Sequence, residues 1–207
     1  MSEHKRYVIP AAICRVAEEI KRSRFITTLA HTPTQADARA FIAGIQAEFP
    51  DASHHCWAYL IGPPGHTGMV GISDDGEPHG TAGRPMLTVL THSGIGDVAV
   101  VITRYFGGTK LGTGGLVRAY SSGVQQAIKQ VVCTERVAYG FVQVMIDYAR
   151  VTLFKRLLPQ FEAQIETEVF ASAVTYGIKL PEEHQEAFGI AVKNLTHGQA
   201  VIEEQKK

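Results

Sequence analysis

The sequence predicts an α+β protein made of two domains. Its 207 residues are enough for two modest domains, and hydrophobic residues make up 45% of them, so each domain can bury a core. After residue 137 the pattern reads strand, helix, strand, strand, helix, strand, which is the order of the ferredoxin-like unit. We therefore predict one domain over residues 1–134 and a second, ferredoxin-like domain over residues 138–207. No linker marks the boundary, which we place within residues 133–139.

The first domain is predicted to alternate between strands and helices. Apolar and polar residues alternate over residues 16–31 with a break at 21–23, a pattern typical of a β-hairpin. Thr34 is a suitable N-cap for a helix that ends at residue 49, before Pro50. The remaining predicted elements are a strand at 55–61, a short helix at 81–90, a buried strand at 97–106 and a helix at 116–132.

The second domain is predicted from the same signals. Pro159 ends one helix, and Pro181 with the acidic residues after it favours the start of another. The predicted elements are a strand at 137–146, a helix at 149–158, strands at 164–170 and 173–180, a helix at 181–194 and a strand at 199–203.

The bulk composition narrows the class of protein. Three cysteines, far apart in sequence, are typical of a protein of the reducing cytoplasm and not of a disulfide scaffold. The first ten residues lack the apolar stretch of a signal peptide, and no run of about 18 apolar residues predicts a membrane span. Basic and acidic side chains number 20 each, so any affinity for nucleic acid has to come from a local patch.

A first motif, SDDGEPHGTAGRPML at residues 73–87, contains three carboxylates close together: Asp74, Asp75 and Glu77. Such a cluster is able to hold Mg²⁺, or to cap the helix that follows. Arg84 lies in the first turn of that helix, where a cation opposes the helix dipole. Arg84 is therefore expected either to pair with the carboxylates or to bind an anion.

A second motif, RYFGGTKLGTGGLVRAY at residues 104–120, joins the end of a buried strand to the start of a helix. Backbone N–H groups at such a junction are able to converge on an anion. One interpretation is a site for phosphate or for RNA backbone. The other is that the glycines serve only sharp turns and close packing. The predicted anion- or RNA-binding residues are Arg84, Arg104, Tyr105, Gly107, Gly108, Lys110, Gly112, Gly114, Gly115 and Arg118.

The familiar enzyme motifs are absent from both segments. The P-loop pattern G-x-x-x-x-G-K-[ST] fails because Gly112 is followed by Thr113 and not by lysine. The dinucleotide fingerprint G-x-G-x-x-G fails because Val117 stands in the place of its third glycine. The run His54-His55-Cys56 lacks zinc-ligand spacing, because neighbours on a strand point to opposite faces. The sequence assigns no catalytic residue, no cofactor and no metal site.

The two motifs resemble those of the IMPACT/YigZ family. Three further segments are similar to bacterial members: IPAA at residues 9–12, EIKRSRFI at 19–26 and DASHHCWAY at 51–59. The resemblance covers nearly the whole chain. It implies a first domain like the second domain of a small-subunit ribosomal protein, an architecture shared with elongation factor G and the GHMP kinases. It also implies a second domain like the ferredoxin-like last domain of elongation factor G.

The resemblance implies a link to translation. We therefore expect a regulatory binding protein of the cytoplasm that contacts RNA or a ribosome-associated protein through the face bearing Arg84, Arg104 and Lys110. The alternative is a phosphotransferase or hydrolase that uses the glycine-rich loop with Asp74, Asp75 or Glu77 as metal ligands or base. The sequence leaves the oligomeric state and the identity of the partner open.

Overall fold

The computed structural model describes residues 6–66 and 68–205. The chain divides into a unit of residues 7–136 and a second unit that begins at Val137 and includes Arg6. Each unit has its own hydrophobic core. The α+β prediction is confirmed, since both units combine helices with antiparallel sheets. In the described part of the chain, no helix combines the length and the apolar character that crossing a membrane requires.

The first unit contains three helices and most of the strands. In chain order they are β1 (Arg6–Pro10), β2 (Cys14–Ile20), β3 (Ser23–His31), α1 (Gln35–Glu48), β4 (His54–Leu60), β5 (Val70–Ser73), α2 (Gly83–Thr91), β6 (Val98–Tyr105), α3 (Thr113–Gln130) and β7 (Cys133–Val137). A five-stranded sheet has the order β2-β3-β6-β4-β5, and every neighbouring pair in it is antiparallel. Strands β1 and β7 form a separate two-stranded sheet.

Helices cover both faces of the five-stranded sheet, and β6 lies at its centre. Because successive side chains of a strand point to opposite faces, Val98, Val100 and Ile102 pack with α2 and α3. Ala99 and Val101 pack on the other face with α1. Burial on both faces explains why the sequence of β6 reads as a continuous apolar run.

The second unit has the predicted order of elements. Its strands and helices are β8 (Tyr139–Ile146), α4 (Val151–Leu157), β9 (Gln164–Phe170), β10 (Val174–Pro181), α5 (Gln185–Leu195) and β11 (Val201–Gln205). The strand order in the sheet is β11-β8-β10-β9, with antiparallel pairs throughout. Residues of both helices, Phe154 and Phe188 among them, pack on one core with the sheet.

Several predicted bounds were wrong, for identifiable reasons. Pro181 does not open a helix: it is the last residue of β10, and the next N–H, of Glu182, bonds to Ala138 O. Helix α3 begins at Thr113 and not at 116, so its first turn contains two glycines. The predicted strand at 137–146 is divided between β7 and β8. The Thr34 cap is confirmed, since its side chain accepts a hydrogen bond from Asp37 N.

Candidate functional site

Asp74 caps helix α2. Its Oδ1 accepts hydrogen bonds from the N–H groups of Ala82 and Gly83, at 3.0 and 2.8 Å, and its Oδ2 accepts one from Gly80 at 2.8 Å. Burial alone would raise the pKa of this carboxyl, but the three N–H groups and nearby His79 outweigh burial and hold the pKa below its ordinary value. Of the two roles predicted for Asp74, capping is the one that its contacts fit.

The other two carboxylates of the first motif also have partners. Asp75 Oδ2 accepts a hydrogen bond from His55 N at 2.6 Å. Glu77 is buried, and its Oε1 accepts hydrogen bonds from Arg104 Nη1 at 2.5 Å and Tyr120 Oη at 2.8 Å. Among the described residues, the ligand atoms that converge closely enough for a metal belong to Glu162, Glu183 and His184 and not to this motif. The Arg6 guanidinium already contacts both of those glutamates.

Arg104 is not part of an exposed face, which corrects the prediction that it contacts an anion directly. It is 4% exposed and forms its ion pair with Glu77 inside the protein. Its Nη2 also donates to Ser23 Oγ at 3.3 Å. The guanidinium lies over the rings of Phe25 and Phe106, 5.3 and 5.6 Å from their centroids. Arg104 therefore supports the loop that follows β6 from within.

Cys56 and Tyr120 extend this buried network. The Cys56 thiol lies 3.3 Å from Tyr120 Oη and 3.0 Å from Asp74 O. Burial raises the pKa of Cys56 to about 12, and burial likewise raises the pKa of Tyr120 above its ordinary value. A thiol that stays protonated at neutral pH is a poor nucleophile. The network is therefore suited to a structural role.

Three glycines of the second motif are required by the fold. A Cβ on Gly107 would collide with the backbone of Arg22, so the loop packs directly on the turn between β2 and β3. Gly108 and Gly112 have φ values of 81° and 76°, a region that side chains with a Cβ rarely adopt. The interpretation that glycines serve turns and packing fits these three positions.

Gly114 does not fit that interpretation. Its φ is not positive, and a Cβ built on it would meet nothing within 4 Å. Gly114 is also exposed, in the first turn of α3. The N–H groups of Thr113, Gly114 and Gly115 bond to no acceptor in the described part of the chain, and Gly112 provides no side-chain cap. Three donors at a helix N-terminus are therefore available to an anion.

Exposed cations accompany this helix start. Lys110 precedes it, Arg118 lies in its second turn, and Arg84 lies in the first turn of α2. None of the three side chains forms an ion pair with a described residue. One cavity of about 480 Å³ is lined by residues near the C-termini of both α2 and α3, such as Val89 and Lys129. The start of α2 also lies near α3, because Asp74, which caps α2, and Tyr120 of α3 both contact the Cys56 thiol.

We refer to Arg84, Lys110, Gly112, Gly114, Gly115 and Arg118 as the glycine-rich face. Of the other predicted residues, Tyr105 is half-buried and donates a hydrogen bond from Oη to Asp51 Oδ1 at 3.0 Å. Gly107 N is already paired with Ser23 Oγ at 3.2 Å. These two residues shape the loop, whereas the members of the face are open to a partner.

Sequence reasoning missed a second group of cations, at the turn between β2 and β3. Lys21, Arg22 and Arg24 are all exposed, and the contact of Gly107 with Arg22 places this turn beside the loop after β6. Phe106, at the start of that loop, is 50% exposed. The sequence did contain a signal for this group, because three of the four residues 21–24 at the hairpin turn are basic.

Comparison with known proteins reveals similarity along both units. The model of the Impact N-terminal domain matches residues 21–128, and a domain of unknown function, DUF1949, matches residues 144–199. An "IMPACT family member" of Haemophilus influenzae is 42% identical over 197 residues, which cover 95% of this chain and 96% of that protein. "IMPACT family member YigZ" of Escherichia coli is 42% identical over 192 residues, or 93% and 94% of the two chains. A solved structure described as that of "an hypothetical protein" has 39% identity and a TM-score of 0.67, with 98% of each chain covered.

Proposed function

The chain belongs to the IMPACT family, and we propose that it is a translation-linked binding protein that contacts RNA phosphates through the glycine-rich face. The observation that carries this proposal is the first turn of α3. Its three N–H groups have no acceptor among the residues described, and Gly114 leaves room for close approach although the fold does not require a glycine there. Unpaired donors beside Lys110 and Arg118 are suited to a phosphate group.

The proposed fold relationships support the link to translation. We infer that the first unit has the architecture of the second domain of a small-subunit ribosomal protein, which elongation factor G and the GHMP kinases share. We infer that the second unit is ferredoxin-like. Its element order and its strand order β11-β8-β10-β9, all antiparallel, support that inference. Architecture alone does not establish function, so the proposal rests mainly on the glycine-rich face.

The alternative function, phosphotransfer or hydrolysis, has less support. It needs Asp74, Asp75 or Glu77 to bind a metal or to act as a base. Asp74 is engaged by three backbone N–H groups, and Glu77 by Arg104 and Tyr120. Releasing either carboxylate would leave buried donors without an acceptor.

Co-sedimentation with ribosomes, from low to moderate salt, tests the proposal. We expect the wild-type protein to sediment with ribosomes at low salt, and the Arg84→Ala/Lys110→Ala variant to remain largely in the supernatant. The matched control is Arg39→Ala/Lys129→Ala, which removes the same charge from α1 and from the last turn of α3. If the protein does not bind, or if both variants bind as the wild type does, a protein partner or a small ligand replaces RNA phosphate as the better account.

A further inference from the structure

Phe106 is an exposed aromatic side chain with a buried cation beneath it. Half of its surface is open to solvent, although it directly follows a strand whose residues are almost all buried. The Arg104 guanidinium lies over its ring at 5.6 Å and over the ring of Phe25 at 5.3 Å. One face of the Phe106 ring is thus covered by Arg104, while the ring stays accessible from outside.

The position of this ring is fixed before any partner binds. Phe106 N donates to Ser53 Oγ at 3.1 Å, and the next residue, Gly107, donates to Ser23 Oγ at 3.2 Å. Arg104, in turn, is held by Glu77. An aromatic ring on an anchored backbone loses little conformational entropy when a planar group stacks on it.

Exposed cations lie on the segments next to Phe106. The side chains of Lys21 and Arg22 lie on the turn against which Gly107 packs, whereas Arg24 pairs with Tyr105 and points to the sheet face opposite to that of Arg104. Lys110 follows four residues after Phe106. None of these cations forms an ion pair within the described ranges. The acidic neighbours are Glu19, opposite Arg24 in the hairpin, and Asp51, which accepts the Tyr105 hydroxyl, so cations predominate.

We propose that Phe106 stacks on an unpaired base of a single-stranded nucleic acid whose phosphates contact Lys21, Arg22 and Lys110. An aromatic platform within a cationic groove is the usual means of binding single strands, because every base has a stacking surface and every nucleotide a charge. A base in a duplex is covered by its neighbours and cannot stack on the ring. The inference rests on the proposed function and narrows its ligand to unpaired RNA.

Fluorescence anisotropy with the full chain and a labelled oligouridylate of about 12 nucleotides tests this inference, since known single-strand sites span about 4 to 16. We expect Phe106→Ala to weaken binding about tenfold, the usual cost of losing one stacked base. Phe106→Tyr keeps the ring and is expected to retain wild-type affinity. Phe170→Ala removes a ring that is 62% exposed, from the second unit, and is expected to leave oligouridylate binding unchanged.

Two further probes separate stacking from charge. Heparin has the charge of a polyanion but no bases, so Phe106→Ala is expected to bind it as the wild type does, which also shows that the variant is folded. A duplex RNA of the same length is expected to bind more weakly than the single strand. Equal oligouridylate affinities for Phe106→Ala and wild type, or equal affinities for duplex and single strand, would overturn the inference.

Failure of this inference is distinguishable from failure of the proposed function. If ribosome binding depends on Arg84 and Lys110 while Phe106→Ala binds oligouridylate normally, only the stacking role is lost. If the wild-type protein binds neither ribosomes nor oligouridylate, both proposals are lost.

Discussion

Arg104 and Glu77 form an ion pair from which solvent is almost excluded, with side chains 5% and 4% exposed. Burying two charges is costly, and the cost is offset only where the remaining polar atoms are also satisfied. Here Glu77 Oε1 accepts a second hydrogen bond from Tyr120, and Arg104 Nη2 donates to Ser23 Oγ. Arg104 Nε is buried without a hydrogen-bond partner, and the guanidinium lies over the rings of Phe25 and Phe106. The pair joins β6 to the loop before α2 and so holds in place the loop that carries Phe106.

We expect Glu77→Gln to destabilise the first unit by about 3 kcal/mol, because it leaves the Arg104 charge buried without a counter-ion. The matched control is Glu48→Gln. Glu48 binds Arg15 with two short hydrogen bonds, at 2.5 and 2.7 Å, but both side chains are at least 40% exposed. That loss is expected to be much smaller, because solvent screens an exposed ion pair. Urea unfolding of the two variants measures the difference, and equal losses would show that Arg104 does not depend on Glu77.

The Asp74 cap gives a prediction for pH. Because the folded-state pKa of Asp74 is lowered, its ionised form stabilises the fold above the unfolded value of about 3.9, and this contribution is lost as the pH falls through the folded value. Relative to Asp74→Asn, the wild type is expected to be more stable by about 1 kcal/mol at neutral pH. The advantage should shrink as the pH falls below about 4. Urea midpoints measured across this range test the point, and a pH-independent difference would contradict it.

The burial of Arg104 has a signal in the sequence. Arg104 continues the alternation of Val98, Val100 and Ile102, which places it on the face that α2 and α3 cover. Its partner was not predictable from local pattern, since Glu77 lies 27 residues away and reaches Arg104 only through the tertiary fold. The capping role of Asp74 was foreseen as one alternative, because a carboxylate before a helix start is commonly a cap.

Helix α3 begins with residues that weakly favour helices. Two glycines in one turn cost backbone entropy, and Gly112 gives no side chain to cap the N–H groups. This is the reason why the predicted start lay at residue 116. Packing of Leu116, Ala119 and Tyr120 into the core compensates for the poor start. The first turn of α3 is therefore less stable than one with a capping residue, and its N–H groups remain unpaired.

Gly114→Ala tests whether the glycine at this position serves phosphate binding. Since a Cβ has free space there, the substitution is expected to raise the free energy of unfolding by about 0.5 kcal/mol. It should also weaken phosphate binding, because the methyl group obstructs approach to the N–H groups. Gly44→Ala in α1, where a Cβ likewise meets nothing, is the control that should stabilise the protein and leave binding unchanged. Amide NMR shifts of residues 112–115 during a phosphate titration report the binding, and equal responses in both variants would contradict the role of Gly114.

The long elements were predictable from periodicity, whereas three of the short strands were missed. Strands β1, β5 and β7 have four or five residues each, too few for a pattern to emerge. Strand β1 also pairs with β7, more than a hundred residues away, so no local turn signal announces it. The central strand β6 and the helices α1 and α3 were found because their apolar pattern follows directly from burial.

At the scale of the whole molecule, β1 and β7 tie the ends of the first unit together. The buried carboxylate of Asp97 accepts hydrogen bonds from Gly62 N and Tyr7 Oη, both at 2.7 Å, and from Arg136 at 2.5 Å. Burial raises the pKa of Tyr7 to about 12, with a further contribution from Asp97. The polar groups of two distant segments thus converge on one charge that has no access to water.

The contacts of Asp97 determine which fragment of the first unit is expected to be stable. We expect a fragment of residues 1–137 to fold alone, because it retains β7 and Arg136. A fragment of residues 1–134, which ends at the boundary predicted from sequence, should also fold but be less stable by about 1 to 3 kcal/mol, since the buried carboxylate of Asp97 loses its ion-pair partner Arg136. Thermal unfolding followed by circular dichroism compares the two. A fragment 1–137 with the spectrum of an unfolded chain would contradict the division into two units.

The neutral charge of the chain makes the salt dependence of ribosome binding the most direct measure of the central claim. With no net charge, attraction to RNA has to come from local contacts, and each neutralised phosphate contributes about −0.7 to −0.9 to the slope of log K against log salt. The three cations of the glycine-rich face predict a wild-type slope of about −2 or steeper. The slope of Arg84→Ala/Lys110→Ala should be shallower by about 1.5, because two of the three cations are removed. A wild-type slope near zero, or a slope that the double substitution leaves unchanged, would contradict the account.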